Sequence, residues 1–572
     1  MPVPSSITSA THQDLDLRLV SGDWPEDLQG EVVISSPQVA DDLSYALFGF
    51  GVMCRLSLRP GTHGAPSDRF AWRTRVIDTP SQRLHERAAA QFRPGPTGYS
   101  SPFGFPNSAN TAPLPWGDRL FATWDVGRPV EVDPVSLGFL GDVGHRDHWG
   151  EPTLDVGGVL PFFFSSAHPV VDPERNCLWT VKLTFAASGG MLLHVVRWSG
   201  DGTEVTCWPI RDGIVFGSSH TLTQTRDFLV LADSGNFKSD PGEMAGGPRT
   251  VTIDSDAAVY LIRKDELEAA TAGTELVPQQ FRVAPTTGHF YARWDDRDGV
   301  RVLFEHMDVM DLGYKIEAGD TDANGRPVDP ALVGFYNTAM APNSCSEVVF
   351  DPATGASKQE ALFREDWTFN LELSAMDWSF EALRQPTLHH IAYQGFRPGT
   401  VTRRALANYA DRVPTLPGDD TPGALVTLRR GSLEEHARWE YGNVGDHITS
   451  PAFAPRQAAA TSTGVRAQYG GEHPGGHEGW VILPVLSDDG FRVELFDAAD
   501  VGRGPVAVLA APNGECVPVV LHSAWMPRAV EPGHRDRLRF SDELDDAALA
   551  SLAPELVDVV RSVAADLDDE LG

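Results

Sequence analysis

Short runs rich in Val, Leu, Phe and Trp alternate along most of the chain with Gly, Pro and Asp. Examples are 30–35 (GEVVIS), 119–123 (RLFAT), 178–183 (LWTVKL), 192–198 (LLHVVRW), 228–232 (FLVLA), 258–262 (AVYLI), 300–304, 479–485 and 491–496. Runs this short, bounded by turn formers, predict β-strands. The Asp-Gly pairs at 201–202, 298–299 and 489–490 predict hairpin turns between them. The 54 Gly and 43 Pro are spread throughout instead of gathering in a linker, so no domain boundary shows between about residues 15 and 530. So many antiparallel strands in one unbroken stretch overfill a sandwich and predict a closed all-β propeller. No repeat such as a WD dipeptide marks the individual blades. Helical spacing is confined to 265–271 and to the tail, 541–571. There Leu544, Leu549, Leu552, Leu556, Val559, Val560, Val563 and Leu567 recur among Asp and Glu. An amphipathic tail of this kind packs on the body, forms an interface or frays.

Composition narrows the function classes. The 572 residues include 79 acidic and 46 basic ones, a net charge of −33 with a pI near 4.8. A nucleic-acid binder needs concentrated Lys and Arg, so that class is excluded, as is charge-driven attachment to an anionic bilayer. With 41% hydrophobic and 9% aromatic residues the chain has the material for a large core. Lysine occurs only at Lys182, Lys238, Lys264, Lys315 and Lys358, which makes lysine chemistry a poor candidate. Cys54, Cys177, Cys207, Cys345 and Cys516 are scattered without a CxxC pair, which fits neither a disulfide framework nor a thiolate zinc site. The polar segment 1–17 lacks the apolar run of a signal peptide, and no stretch reaches the roughly 20 apolar residues of a membrane span. A reducing cytoplasm is the expected compartment.

No phosphate-binding glycine loop, GxSxG elbow, HExxH helix or kinase motif is present. Four of the 18 histidines sit at the ends of strand-like runs, far apart in sequence. They are His168 in 166–172 (SAHPVVD), His220 in 219–225 (SHTLTQT), His289 in 288–295 (GHFYARWD) and His522 in 520–525 (VLHSAW). In a propeller, one histidine at the axial end of each of several inner strands converges on the central channel. Four neutral imidazoles suit Fe(II), Zn(II) or Cu(II), and a site without thiolate and with open positions favours iron and O2. By position alone each is equally an ordinary core or surface histidine, and His306, His389, His390, His447 and His477 compete for the same role.

The order and context of these segments resemble the carotenoid cleavage oxygenase family, which includes stilbene-cleaving enzymes and the retinoid isomerase. The resemblance begins at 22–30 (GDWPEDLQG) and continues through 48–53 (FGFGVM), 110–112 (NTA) and 124–127 (WDVG). It then takes in the four histidine segments, 452–456 (AFAPR) and 487–491 (SDDGF). It implies a seven-bladed β-propeller with a helical and loop cap, Fe(II) held by His168, His220, His289 and His522, and O2-dependent cleavage of an alkene into two carbonyl products. It spans about residues 18–530. This divides the chain into an N-terminal extension (1–17), a propeller oxygenase domain with its cap (18–530) and an acidic, helical tail (531–572). Residues 541–572 carry ten Asp or Glu against a single Arg. The cap is expected from 84–99 and 103–105, and an apolar tunnel from Trp124, Phe162, Phe163 and Phe164, although the Phe run reads equally as a buried strand.

The sequence departs from the family where carboxylates usually accept the outer ring N–H of three ligand imidazoles. Asp125 stands at the first position, Arg384 aligns with the second (with Glu381 close enough to alter that register), and Ser450 occupies the third. An Arg cannot accept a proton from an imidazole. Another acceptor must fill in, or the Arg turns away towards a substrate carboxylate, or the metal site is weakened. Trp124 replaces the Lys of phenol-selective stilbene cleavers, which favours a non-phenolic, carotenoid- or apocarotenoid-like alkene. The competing readings are isomerisation, or cleavage of a stilbene or other specialised alkene, on the same scaffold. A further reading is an inactive propeller that binds a hydrophobic ligand. A protein this acidic would reach a membrane-dissolved substrate only through an apolar patch at the tunnel mouth.

Overall fold

A computed structural model describes residues 10–571, apart from 39–48, 62–65, 96–97, 188, 235–251, 310, 312–313, 335–339, 369–373, 376–386 and 457–477. Among the described residues the chain forms a β-propeller with few helices. Five antiparallel meanders of four strands follow one another along the chain. The first comprises Ala112–Trp116, Arg119–Thr123, Val130–Val132 and Phe139–Asp142. The second comprises Val170–Asp172, Cys177–Phe185, Met191–Trp198 and Val205–Val215. The third holds Leu222–Gln224, Phe228–Ala232, Ala257–Arg263 and Gln279–Val283. The fourth holds Thr287–Ala292, Val300–His306, Ser344–Asp351 and Ala356–Phe363. Ser374–Ala375, Leu388–Tyr393, Ala424–Arg429 and Glu435–Glu440 make the fifth.

Apart from a two-stranded sheet of Arg93–Gly95 and Gly98–Ser100, the remaining strands join the two ends of the chain in one ten-stranded sheet. Its central strand is Gln13–Gly22, in which Arg18 pairs with Arg69 on one side and Ala510 on the other. The propeller therefore has five separate blades, not the seven that the resemblance implies. Gln13–Gly22 hydrogen-bonds along both its edges and fuses the strands at the two ends of the chain into one continuous sheet. It also starts inside the segment read as an extension. At the far edge of this sheet the late strand His522–Met526 pairs with the early strand Glu31–Pro37, His522 lying opposite Ser35. Ring closure thus delivers the last histidine to the axis.

Burial follows from the strand pattern. In Arg69–Val76 alternate residues are buried, as expected of a strand with one covered face, whereas all of Phe228–Ala232 is buried between neighbouring sheets. The turns predicted at 201–202, 298–299 and 489–490 form, with Gly202, Gly299 and Gly490 at positive φ. The inner strands of four meanders and His522–Met526 line a single axial cavity of about 140 Å³.

A helix at Pro80–Arg87 lies over this body, with Pro80 in its first turn and Thr79 Oγ1 accepting the Gln82 N–H at 3.2 Å. The tail neither frays nor stays unpaired. Helix Pro554–Leu571 buries Val560, Val563, Ala564 and Leu567 in one cluster with Leu84, Phe92 and Phe103. Arg83 donates to Glu570 at 2.8 Å, and Arg87 pairs with Asp566. Ahead of the helix, Arg128 and Glu543 form a buried bidentate pair at 2.5 and 2.6 Å. Among the described residues no helix is long and apolar enough to cross a membrane.

Candidate metal centre

The structure brings His168, His220, His289 and His522 together at the axial ends of inner strands. Ring centroids of His168 lie 4.8 Å from His220, 5.1 Å from His289 and 4.6 Å from His522. His220 and His289 face each other through their Nε2 atoms at 3.2 Å. One ring nitrogen each of His168, His289 and His522 falls within 4.8 Å of the others.

Backbone bonds fix the segments that carry them. The His168 N–H donates to Ser166 Oγ at 3.1 Å and to the His220 carbonyl at 3.2 Å, while Leu222 N–H returns a bond to the His168 carbonyl at 3.2 Å. Thr221 Oγ1 donates to the Gly288 carbonyl at 2.7 Å, tying the third histidine to the second. Leu521 N–H donates to the Ser35 carbonyl at 3.1 Å, which anchors the approach to His522.

Burial, and after it the neighbouring imidazoles, holds His168, His289 and His522 well below the ordinary histidine range. They are neutral donors at physiological pH. The Nε2 of His168 is buried without a hydrogen bond. An orphaned imidazole lone pair beside three more rings is what a metal ion would satisfy, so the donor set fits one.

The outer ring nitrogens are treated unequally. Both Asp125 oxygens lie within 2.9 Å of His220 Nδ1, so the carboxylate accepts that N–H and directs Nε2 inward. Asp125 also accepts the Ala167 N–H at 3.3 Å, bracing the loop that presents His168. Ser450 does something else. Its Oγ accepts the Ser523 N–H at 3.1 Å, and Ser523 Oγ donates to the Ser450 carbonyl, so position 450 secures the strand beside His522. Arg384 lies outside the described residues, as does Glu381.

A carboxylate not singled out from the sequence stands next to the third histidine. Glu305 is fully buried, with one oxygen 3.8 Å from His289 Nδ1 and the other 3.7 Å from His389 Nε2. An acidic residue inside the otherwise apolar run VLFEH was the available signal. The competing histidines are engaged elsewhere: His306 with Ser346 at 2.6 Å, His390 with Thr427 at 2.8 Å and His447 with Gln394 at 3.2 Å. His477 lies outside the described residues.

The axial cavity touches His168, His289 and His522 but none of Trp124, Phe162, Phe163 and Phe164. Trp124 stacks on Phe105, Phe105 meets Phe162 edge-on at 4.5 Å, and Phe162 meets Phe164 at 4.9 Å. This aromatic group stands beside the cap segment. Its neighbour Ser165 donates to the Trp124 carbonyl at 2.9 Å, three residues before His168. Phe163 points instead into a separate core against Trp149.

A family model described as retinal pigment epithelial membrane protein matches residues 5–527. The chain belongs to this carotenoid oxygenase family. The apocarotenoid-15,15'-oxygenase of Synechocystis is 28% identical over 542 residues, covering 88% of this chain and 92% of that protein. Carotenoid cleavage dioxygenase 7 of rice (Oryza sativa subsp. japonica) is 30% identical over 146 residues, 22% of each chain. Among solved structures, a variant of the Synechocystis apocarotenoid oxygenase superposes with a TM-score of 0.58 at 15% identity, covering 92% of this chain and 98% of that one. The cobalt-substituted form of that oxygenase gives 0.54 at 17% identity, covering 91% and 96%. The likeness in fold thus spans nearly the whole of both chains.

Proposed function

We propose that this carotenoid oxygenase family member is a non-heme Fe(II)-dependent dioxygenase that cleaves a carbon–carbon double bond of a carotenoid- or apocarotenoid-like alkene, giving carbonyl products. The observation that carries this reading is the convergence of four imidazoles, Nε2 to Nε2 at 3.2 Å for His220 and His289, on one axial point. His168, His220, His289 and His522 hold the ion, and iron bound there supplies the capacity to activate O2. The protein's part is to bind and orient. Asp125 keeps the His220 proton on Nδ1, so Nε2 presents its lone pair. Thr221 and Ser166 lock the neighbouring segments. The aromatic group of Phe105, Trp124, Phe162 and Phe164, which stands outside the axial cavity, is an apolar surface for a polyene on its path to the histidines. No side chain is required as a general acid or base.

Access to a membrane-dissolved substrate is supported by an apolar group at the end of the second blade. Phe185, Phe216, Leu154 and Val156 are exposed by 59%, 54%, 46% and 46%. They cluster because Leu154 bridges to Phe162, Phe164 bridges to Leu183, and Met191 pairs with both Phe185 and Val215. In a protein of net charge −33 such a patch, and not charge, would meet the bilayer. The decisive experiment is incubation of iron-loaded protein with an apocarotenoid under ¹⁸O2. Labelled aldehyde products are expected; turnover without label would replace cleavage by isomerisation, and iron-free protein from iron-supplemented cells would overturn the metal assignment.

A further inference from the structure

We infer that Glu305 is the positioning carboxylate of His289, supplied from the adjacent strand of the same blade and shared with His389. The inference rests on the metal-binding reading above and adds to it a residue that the sequence pattern did not assign.

Strand register puts the carboxylate there. Thr287 pairs with His306, so an uninterrupted antiparallel ladder would set His289 opposite Phe304. The register shifts by one residue between Thr287 and His289, with Gly288 as the extra residue, and His289 pairs with Glu305 instead. Directly paired residues project from the same face of a sheet. The shift therefore turns Glu305 to the side of His289. It leaves Phe304 paired with Phe290, their rings stacked at 5.3 Å in the core between blades.

The buried imidazole nitrogen calls for an acceptor, and the buried carboxylate is the acidic group beside it. Glu305 is 0% exposed, and a carboxylate withdrawn that far from water is costly unless donors face it. His289 Nδ1 is buried and makes no hydrogen bond, 3.8 Å from one Glu305 oxygen. Closing that gap takes a movement of about 1 Å, within the reach of a ring rotation, and yields an ordinary N–H···O bond. The other oxygen faces His389 Nε2 at 3.7 Å, from the second strand of the next blade, so the carboxylate is held between two imidazoles. Across the site Asp125 does the same for His220 at 2.8 Å. With Nδ1 of His289 engaged outward, its Nε2 is committed to the axis, where it already faces His220. Ser450 serves a backbone N–H, so at that position no carboxylate performs this role.

The test is a cobalt(II) titration of the full-length protein after chelator treatment. Affinity and the visible absorption of the bound ion are read together, and a thermal melt reports the fold. Outer partners of metal-ligating imidazoles typically contribute about 10–100-fold in metal affinity. Glu305→Gln should weaken cobalt binding by that factor and shift the cobalt bands, whereas Glu347→Gln, in a buried pair with Arg430, should leave the spectrum unchanged. Should Glu305→Gln not fold, Glu305→Asp decides. Its shorter reach should give a loss of a few-fold with displaced bands. Wild-type protein that binds cobalt and a folded Glu305 variant with the same affinity and spectrum would overturn the inference alone. Wild-type protein that takes up no cobalt would overturn the metal reading and this inference with it.

Discussion

Replacing Arg128 by Met should release the C-terminal tail while leaving the sheets folded. The Arg128 side chain, 5% exposed, meets both Glu543 oxygens at 2.5 and 2.6 Å and donates to the Gly144 carbonyl at 2.6 Å. Asp142 lies 3.4 Å from the same guanidinium, and Glu543 also accepts the Arg146 N–H at 2.7 Å. Methionine would leave two carboxyls buried together without this cation. Removing one partner of a buried pair costs about 3–5 kcal/mol. Glu543 keeps a backbone donor, so the lower figure applies, about 3 kcal/mol or on the order of a hundredfold in an opening equilibrium. Hydrogen exchange followed by mass spectrometry reads this locally: residues 546–571 should lose protection by that factor, and the meanders should not. The sign with pH also follows. Burial pushes the Asp142 carboxyl up to about 6 even beside Arg128, and without Arg128 it rises further. A carboxyl raised above its unfolded value of 3.8 is most favourable when protonated and loses stability as pH rises through its folded pKa. The penalty should therefore be larger at pH 8 than at pH 5. Adding Glu543→Gln should recover part of it, because it removes one of the two stranded carboxyls and leaves Asp142. Unchanged tail protection, a loss spread evenly over the sheets, or a penalty that grows on acidification would refute the reasoning.

Asp125→Ala should lower iron affinity about 10–100-fold with the fold intact, measured as iron retained after dialysis against a weak chelator; full retention contradicts its role at His220. His306 supplies a pH signature, since burial holds its imidazole at about 4. The unfolded chain therefore takes up the extra proton between about 6.5 and 4. Through that window His306 alone should contribute a fall in stability of about 1.4 kcal/mol per unit on acidification, added to the slope from the other buried histidines such as His194 and His447. His306→Gln should reduce the slope by that share in stabilities collected against pH, and superimposable curves would contradict it. Phe185→Glu with Phe216→Glu should abolish sedimentation with phosphatidylcholine vesicles and leave the melting temperature unchanged, as both side chains are more than half exposed. Undiminished vesicle binding would remove the patch from the account.

The longer strands were legible because their residues face covered surfaces: the run 178–183 became Cys177–Phe185 and 192–198 became Met191–Trp198. The four histidine segments were legible through local sequence. Their convergence was expected from the propeller reading and the family resemblance and not from periodicity, since the inner strands Val170–Asp172 and Leu222–Gln224 are too short to show a period. The blade count was missed for a related reason. Gln13–Gly22 buries only Leu17 completely and is held by backbone pairing on both edges, which side-chain patterning does not encode. The tunnel residues divided. Trp124, Phe162 and Phe164 share one aromatic group with Phe105, while Phe163, between two isolated bridge residues, packs against Trp149 in a separate core.

Glu305 shows most directly where pattern reading stops. A period of two along 300–306 (VRVLFEH) cannot say which residue faces the axis, because a one-residue register shift in the partner strand reverses the answer. The shift sets a carboxylate beside His289, whereas at position 450 a serine holds the backbone of the strand that carries His522. What an axial imidazole requires is an acceptor at its outer nitrogen, and that requirement specifies a place in space, not a place in sequence. His220 meets it with Asp125 from the first meander, two blades before its own, at 2.8 Å, and His289 faces a carboxylate from its own blade. His168 and the approach to His522 are instead stapled through backbone bonds to Ser166, the His220 carbonyl and Ser35. On the reading proposed above, the four histidines keep their positions while the carboxylates beside them come from different strands. In this chain, strand register around each histidine, and not the usual carboxylate positions alone, shows which acidic side chain stands at an outer ring nitrogen.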